Sequence, residues 1–104
     1  MIRSKQEHID NIMDYFDFRK VADTMQFLNW KWAYSDTGIP EEPELRKTAR
    51  NTLSTVYDYG SQQGRKYTMA TGGFVYSYDP AHSELTLTFE LTGWSSHEGF
   101  GSPF

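Results

Sequence analysis

The 104-residue sequence contains no cysteine. This absence excludes structural disulfides, thiolate-bound zinc and a cysteine nucleophile, and it is compatible with a reducing compartment. No apolar run approaches the ~20 residues that a membrane-spanning helix needs. The first eight residues are polar and lack the apolar centre of a signal peptide. We therefore expect a soluble intracellular protein, a monomer or a small homo-oligomer, without a membrane partner.

An excess of positive charge is also missing. The chain carries 10 Lys and Arg against 14 Asp and Glu, which gives a formal net charge of −4. A protein that binds duplex DNA needs a basic face to neutralise phosphates, so direct binding of duplex DNA is not expected. The acidic balance leaves open a partner with a basic surface.

Catalytic and cofactor motifs are not recognisable. Gly72-Gly73 and Gly99-Phe100-Gly101 lack the spacing and the following helix of a phosphate-binding loop, and Gly72-Gly73 more often marks a bulge or a tight bend. His8, His82 and His97 are scattered, and no two of them have the spacing of metal ligands. Catalytic triads require a mutual geometry that this sequence does not indicate. The sequence predicts a non-enzymatic protein without cofactor or metal.

Aromatic residues are abundant, at 16% of a chain with 38% hydrophobic residues, a composition that does not fit a disordered protein. A chain of this length forms one domain. We expect a single α+β domain over residues 1–94 and a Gly- and Ser-rich tail over residues 95–104.

Helical spacing of apolar residues predicts helices over about 4–16, Phe18–Leu28 and about 42–60. Asp17 is placed to cap the second of these helices. Phe27 lies off the apolar stripe of the second helix and therefore needs a second neighbour or an exposed position. The alternation in residues 30–34 is typical of a short extended segment.

The last third of the chain is rich in strand-forming residues. It predicts strands over Tyr67–Thr71 and Phe74–Tyr78, interrupted by Gly72-Gly73, and over Glu84–Leu91. The five residues Asp79–Ser83 form a hairpin loop. The sequence therefore predicts an α+β fold, with three helices packed on one face of a small antiparallel sheet and a C-terminal β-hairpin.

Two groups of residues are candidates for partner binding. Glu41, Glu42 and Glu44 open the third helix, where carboxylates interact favourably with the helix dipole, and they are placed to meet a basic nucleic-acid channel. Tyr76 and Tyr78 share one face of a strand and are candidate anchors, since tyrosine is enriched at interfaces. The alternative is that such tyrosines lie at the rim of the core, and the strand register is needed to decide which face is buried.

A basic group around the third helix supports a second interpretation. It consists of Arg46, Lys47, Arg50, Arg65 and Lys66, and it is either a solvated face or a site for an anionic ligand. In the latter case Arg takes phosphate and rings such as Tyr67 stack on bases. This alternative predicts a nucleotide-binding protein that sequesters a signalling molecule.

Four stretches resemble small accessory proteins of tailed bacteriophages: Phe16-Asp17-Phe18, Leu28-Asn29-Trp30-Lys31-Trp32, Gly38-Ile39-Pro40 before Glu44-Leu45, and Thr71-Gly72-Gly73-Phe74. The similarity covers about residues 16–91, without the Asp79–Ser83 loop or the tail, and no catalytic residues come with it. The resemblance implies a protein that binds a host protein or nucleoprotein complex in the host cytoplasm and disables it, as an anti-CRISPR or other anti-defence protein does. A minor virion or assembly protein is a further alternative.

Overall fold

A computed structural model describes residues 3–30 and 38–90. Within these ranges the chain forms helices α1 (Lys5–Tyr15), α2 (Phe18–Leu28) and α3 (Glu42–Gln63), followed by strands β1 (Tyr67–Thr71), β2 (Phe74–Asp79) and β3 (Glu84–Phe89). The strands form an antiparallel sheet in the order β1-β2-β3, and the helices pack against it. The predicted α+β class is confirmed. The predicted tail and most of the predicted extended segment at residues 30–34 lie outside the described residues.

Local hydrogen bonds fix where α1 and α2 begin. At α1, Ser4 Oγ accepts a bond from the Glu7 amide at 3.2 Å, and Glu7 Oε1 accepts one from the Ser4 amide at 2.9 Å. At α2, Asp17 Oδ1 accepts a bond from the Lys20 amide at 3.0 Å, as predicted. Because these caps satisfy amides that have no partner inside the helix, the two helices begin at defined residues.

Helix α3 is longer than predicted. It continues through Gly60 and ends at Gly64, whose φ of 70° is left-handed. Gly60 does not end the helix. It lies where α3 packs closely on β2, and little space is left there for a side chain. A Cβ atom at this position would lie 3.0 Å from Cδ2 of Tyr78.

Gly72 and Gly73 form the two-residue connection of a β-hairpin. Their φ angles of 61° and 89° are the positive values that such tight turns require. The turn confirms the predicted tight bend and separates β1 and β2 into two strands. The turn also packs closely against Trp30, which follows α2, since a Cβ atom on Gly73 would lie 2.6 Å from Cζ3 of Trp30.

The core lies between the helices and one face of the sheet. The central strand β2 directs Phe74, Tyr76 and Tyr78 into it, opposite Phe89, Leu87 and Leu85 of β3. The helices contribute buried residues Ile9, Ile12, Met13, Phe18, Val21, Ala22, Met25, Leu45, Ala49, Leu53 and Val56. No helix within residues 3–30 and 38–90 is long and apolar enough to cross a membrane.

Candidate partner-binding surface

The two tyrosines predicted as partner anchors belong to the core. Tyr76 is 1% exposed and Tyr78 is 5% exposed, and the ring of Tyr78 lies 4.4 Å from that of Tyr57. Burial is also the main reason that the pKa of Tyr78 is raised. The prediction that these rings contact a partner is therefore wrong. Their spacing places them on one face of a strand, and the packing of β2 on α3 makes that face the buried one.

The three predicted glutamates lie at the beginning of α3. Glu41 is the residue before the helix, and Glu42 and Glu44 are in its first turn. Glu42 is partly buried, and its Oε2 accepts a hydrogen bond from Nε of Arg46. Glu41 and Glu44 are exposed, so their carboxylates are accessible to a partner. The positive end of the helix dipole stabilises all three negative charges.

Phe27 is the most exposed large apolar side chain in the described part of the chain, at 88%. The opposite side of α2 is buried through Phe18, Val21 and Met25, so the helix cannot turn Phe27 inward without losing that packing. The sequence pattern places Phe27 off the apolar stripe but does not assign it to a partner-binding site.

Two shallow grooves adjoin Phe27 and the start of α3. The first has a volume of about 620 Å³ and is lined by Asp17, Arg19, Lys20, Asp23, Thr24, Phe27 and Leu28. The second has a volume of about 290 Å³ and is lined by Arg19, Ala22, Asp23, Gln26, Pro40, Glu41, Glu42 and Pro43. The grooves share the lining residues Arg19 and Asp23 and are therefore neighbours. We call this region, together with the adjacent Glu44, the α2–α3 surface.

The α2–α3 surface is acidic around an apolar side chain. Its carboxylates are Asp17, Asp23, Glu41, Glu42 and Glu44, and its cations are Arg19 and Lys20. Arg46 compensates the charge of Glu42 from the side of the helix. The remaining four carboxylates outnumber the two cations, so the surface is complementary to a basic partner.

The predicted basic group does not form one site. Arg46 Nη1 donates to the carbonyl oxygen of Met13 at 3.3 Å, and Arg50 Nη1 lies 3.2 Å from Oδ1 of Asp10. Both guanidinium groups therefore join α3 to α1. Arg65 and Lys66 follow the far end of α3, which lies roughly 20 Å from Arg50 at a rise of 1.5 Å per residue.

Tyr67 is also too far from Arg46 and Arg50 to share a ligand with them. Its ring packs against Tyr59 at the far end of α3, with centroids 5.2 Å apart. Arg65 and Lys66 precede Tyr67 directly, whereas Arg46 and Arg50 lie in the first half of α3 and contact α1. The geometry therefore does not bring the residues of the nucleotide-binding alternative together in one site.

A further cleft, which shares no lining residue with these grooves, lies between α1 and the β2–β3 turn. Its volume is about 360 Å³, and it is lined by Arg3, His8, Tyr15, His82, Ser83, Glu84, Leu85 and Thr86. We call it the α1–hairpin cleft. His8 and Ser83 meet here although they are 75 residues apart in sequence, and no sequence signal pointed to this pair. Within the described residues, no group of three or more His, Asp or Glu side chains is arranged to hold a metal ion.

Comparisons with known proteins add no assignment to this geometry. No protein-family model, curated protein or solved structure matches the chain. The fold and its surface define an α+β protein with an acidic face around one exposed phenylalanine.

Proposed function

We propose that this is a non-enzymatic, phage-encoded protein that acts in the host cytoplasm by binding and inhibiting a host factor, with CRISPR or another immune system as the target. The observation that carries this proposal is the α2–α3 surface, where exposed Phe27 adjoins grooves bounded by carboxylates. The resemblance of residues 16–91 to accessory proteins of tailed bacteriophages supports the phage origin.

Phe27 has the properties of an interface anchor. Burying a Phe side chain contributes about 1.5–3 kcal/mol, and a few aromatic residues carry most of the energy of many interfaces. Phe27 is on α2, which is capped by Asp17 and packed on the core, so its backbone is already ordered before binding. Little conformational entropy is then lost on association, which favours affinity.

The charge of the α2–α3 surface defines the partner. We infer a host protein or nucleoprotein complex whose basic, nucleic-acid-binding surface has an apolar pocket for Phe27. Glu41 and Glu44 would meet Lys and Arg side chains that otherwise contact phosphate. Such complementarity accelerates association and rejects acidic partners.

The test combines capture of the host factor with a measurement of its activity. Tagged protein is incubated with host lysate, the bound factor is identified, and the activity of the purified factor is measured with and without the protein. We expect Phe27→Ala to weaken both binding and inhibition by tenfold or more, which corresponds to about 1.4 kcal/mol. The matched control is Tyr15→Ala, because Tyr15 is 69% exposed but lies outside the α2–α3 surface.

Charge is tested with a second pair of variants. Glu41→Lys/Glu44→Lys should weaken binding at physiological salt, and the difference from the unsubstituted protein should shrink as salt screens the charges. Glu84→Lys/Glu90→Lys makes the same change in net charge on β3 and beyond it. Equal binding by both double variants would contradict the assignment of the surface. Co-purification with phage particles, without inhibition of the captured factor, would instead support a virion or assembly role.

A further inference from the structure

The α1–hairpin cleft contains a buried histidine to which the proposed function assigns no role. We propose that the contact between His8 and Ser83 is a pH-sensitive device, which holds α1 on the β2–β3 turn at neutral pH and releases it on acidification. The device is independent of the α2–α3 surface, because the two regions share no lining residue.

Three elements enclose the imidazole of His8. The side chain is 4% exposed, and its Nε2 lies 3.2 Å from Oγ of Ser83. The ring of Tyr57 on α3 lies 5.9 Å away, and the ring of Tyr78 on β2 lies edge-on at 5.8 Å. His8 therefore joins the first turns of α1 to both the sheet and α3.

Ser83 is held in a conformation that few residues adopt. Its φ of 48° is in the left-handed region, which residues other than Gly, Asn and Asp seldom adopt. Its amide donates to the Pro80 carbonyl oxygen at a long 3.3 Å. The contact with His8 adds to this long bond in keeping Ser83 in place.

The charged groups of α1 and α3 do not compensate a proton on His8. Arg3, which precedes α1, repels such a charge. Glu7 attracts it, but its carboxylate accepts a hydrogen bond from the amide of Ser4 at the beginning of the helix. On α3, Asp58 is bound to Nζ of Lys5 at 3.1 Å.

The charged groups of the hairpin do not compensate it either. Asp79 at the end of β2 is bound to Nδ1 of His82 at 2.7 Å. Glu84 lines the cleft and is exposed, and Lys66 near His82 carries a further positive charge. No carboxylate within residues 3–30 and 38–90 hydrogen-bonds to His8.

Protonation of His8 therefore places a cation among buried rings without a hydrogen-bonded carboxylate. The protonated ring can still donate a hydrogen bond to Ser83. The buried imidazolium is not hydrated as it would be in water, however, and this desolvation disfavours the protonated form. Burial, and then the charge of Arg3, lower the pKa of His8 below its usual 6.5. Moving the first turns of α1 outward exposes the ring to the water of the α1–hairpin cleft and hydrates it.

The pH dependence has a defined sign. A histidine whose pKa is lowered by folding binds protons more readily in the released state, so the contact has its full strength above pH 6.5. It weakens as the pH falls from 6.5 through the lower pKa of the folded state. His82 behaves in the opposite way, because its hydrogen bond to Asp79 raises its pKa. Acidification therefore strengthens the bond inside the hairpin while it weakens the bond between the hairpin and α1.

The experiment measures proton binding and local opening in the full-length protein. A histidine NMR titration, with resonances assigned by His8→Gln, His82→Gln and His97→Gln, should give His8 a lower pKa than His82. Amide hydrogen exchange, corrected for its intrinsic pH dependence, should show protection of Ile9 to Met13 falling between pH 7.5 and pH 5. Each unit by which the pKa is lowered corresponds to about tenfold in the opening equilibrium.

The variants separate this device from general acid sensitivity. His8→Gln keeps an uncharged hydrogen-bonding side chain beside Ser83 and should abolish the fall in α1 protection, whereas His82→Gln should keep it. Residues 53–56 of α3 should stay protected in all proteins. A pKa of His8 at or above 6.5, or equal loss of α1 protection in unsubstituted protein and His8→Gln, would overturn the proposal. Should His8→Gln not fold, the titration and exchange of the unsubstituted protein still decide it.

Discussion

The α2–α3 surface and the α1–hairpin cleft use similar residues in opposite ways. On the α2–α3 surface, Phe27 faces solvent, and the carboxylates of Glu41 and Glu44 are exposed. In and below the α1–hairpin cleft, Tyr57 and Tyr78 pack on each other, and Asp79 is bound to His82. The comparison shows that an aromatic ring or a carboxylate is informative about function only when its packing and its partners are known.

The largest expected effect on stability compares an aromatic residue of the core, Tyr76, with the exposed Phe27. Tyr76→Ala should lower the free energy of unfolding by about 3–5 kcal/mol, because it empties a fully packed position of the core. Phe27→Ala should change it by no more than about 0.5 kcal/mol, since an exposed side chain loses little packing. Urea unfolding of the three proteins measures both values. A Phe27→Ala loss as large as that of Tyr76→Ala would mean that Phe27 belongs to the core.

The next effect concerns the charges at the beginning of α3. Glu41→Lys/Glu44→Lys should destabilise the protein by about 0.3–1 kcal/mol at each position, because Lys opposes the helix dipole where Glu favoured it. Glu84→Lys/Glu90→Lys should be neutral or slightly stabilising, since Glu84 lies directly opposite Asp79 across β2 and β3. Thermal unfolding at low salt compares the two. Equal losses would remove the dipole explanation.

A smaller effect is expected from the ion pair between Asp10 on α1 and Arg50 on α3. Both side chains are about half exposed, and such pairs contribute about 0.2–1 kcal/mol. A double-mutant cycle with Asp10→Asn and Arg50→Gln measures the coupling energy. A value of several kcal/mol would show that this junction is less hydrated than the α2–α3 surface and closer to the core in its properties.

The smallest effect is the contribution of His82, whose side chain is largely exposed. Its raised pKa means that the bond to Asp79 stabilises the folded state below pH 6.5, and this contribution is lost as the pH rises through the raised pKa. His82→Gln should therefore lower the melting temperature at pH 5.5 more than at pH 8.5. The reverse order would show that Asp79 does not hold the protonated ring.

Local signals explain which parts of the fold were predictable. The bounds of α2 were predicted correctly because Asp17 and the apolar stripe act within that segment. The end of α3 was predicted too early. Gly60 was interpreted as the end of the helix, whereas it lies inside α3 where the helix packs closely on Tyr78 of β2. The hairpin at Gly72-Gly73 was predicted as a bend, since two adjacent glycines tolerate positive φ.

The candidate site was predictable only in part. The charge and position of Glu41 and Glu44 at a helix start are sequence properties, and the structure leaves both residues exposed. Tyr76 and Tyr78 were misassigned, because a strand pattern gives two faces without saying which one the helices cover. The contact between His8 and Ser83 depends on bringing together residues that are 75 positions apart, and no local pattern contains that information.

The order of the strands also has a consequence for how the chain folds. Each strand pairs with the strand that precedes or follows it in sequence, and short turns join them. Closing such short loops loses little entropy, so the sheet has a low contact order and should form early. Helix α1 must instead wait for a surface made by residues far along the chain. During synthesis, α1 would then leave the ribosome before α2 and α3 and still be among the last of the described elements to reach its native position.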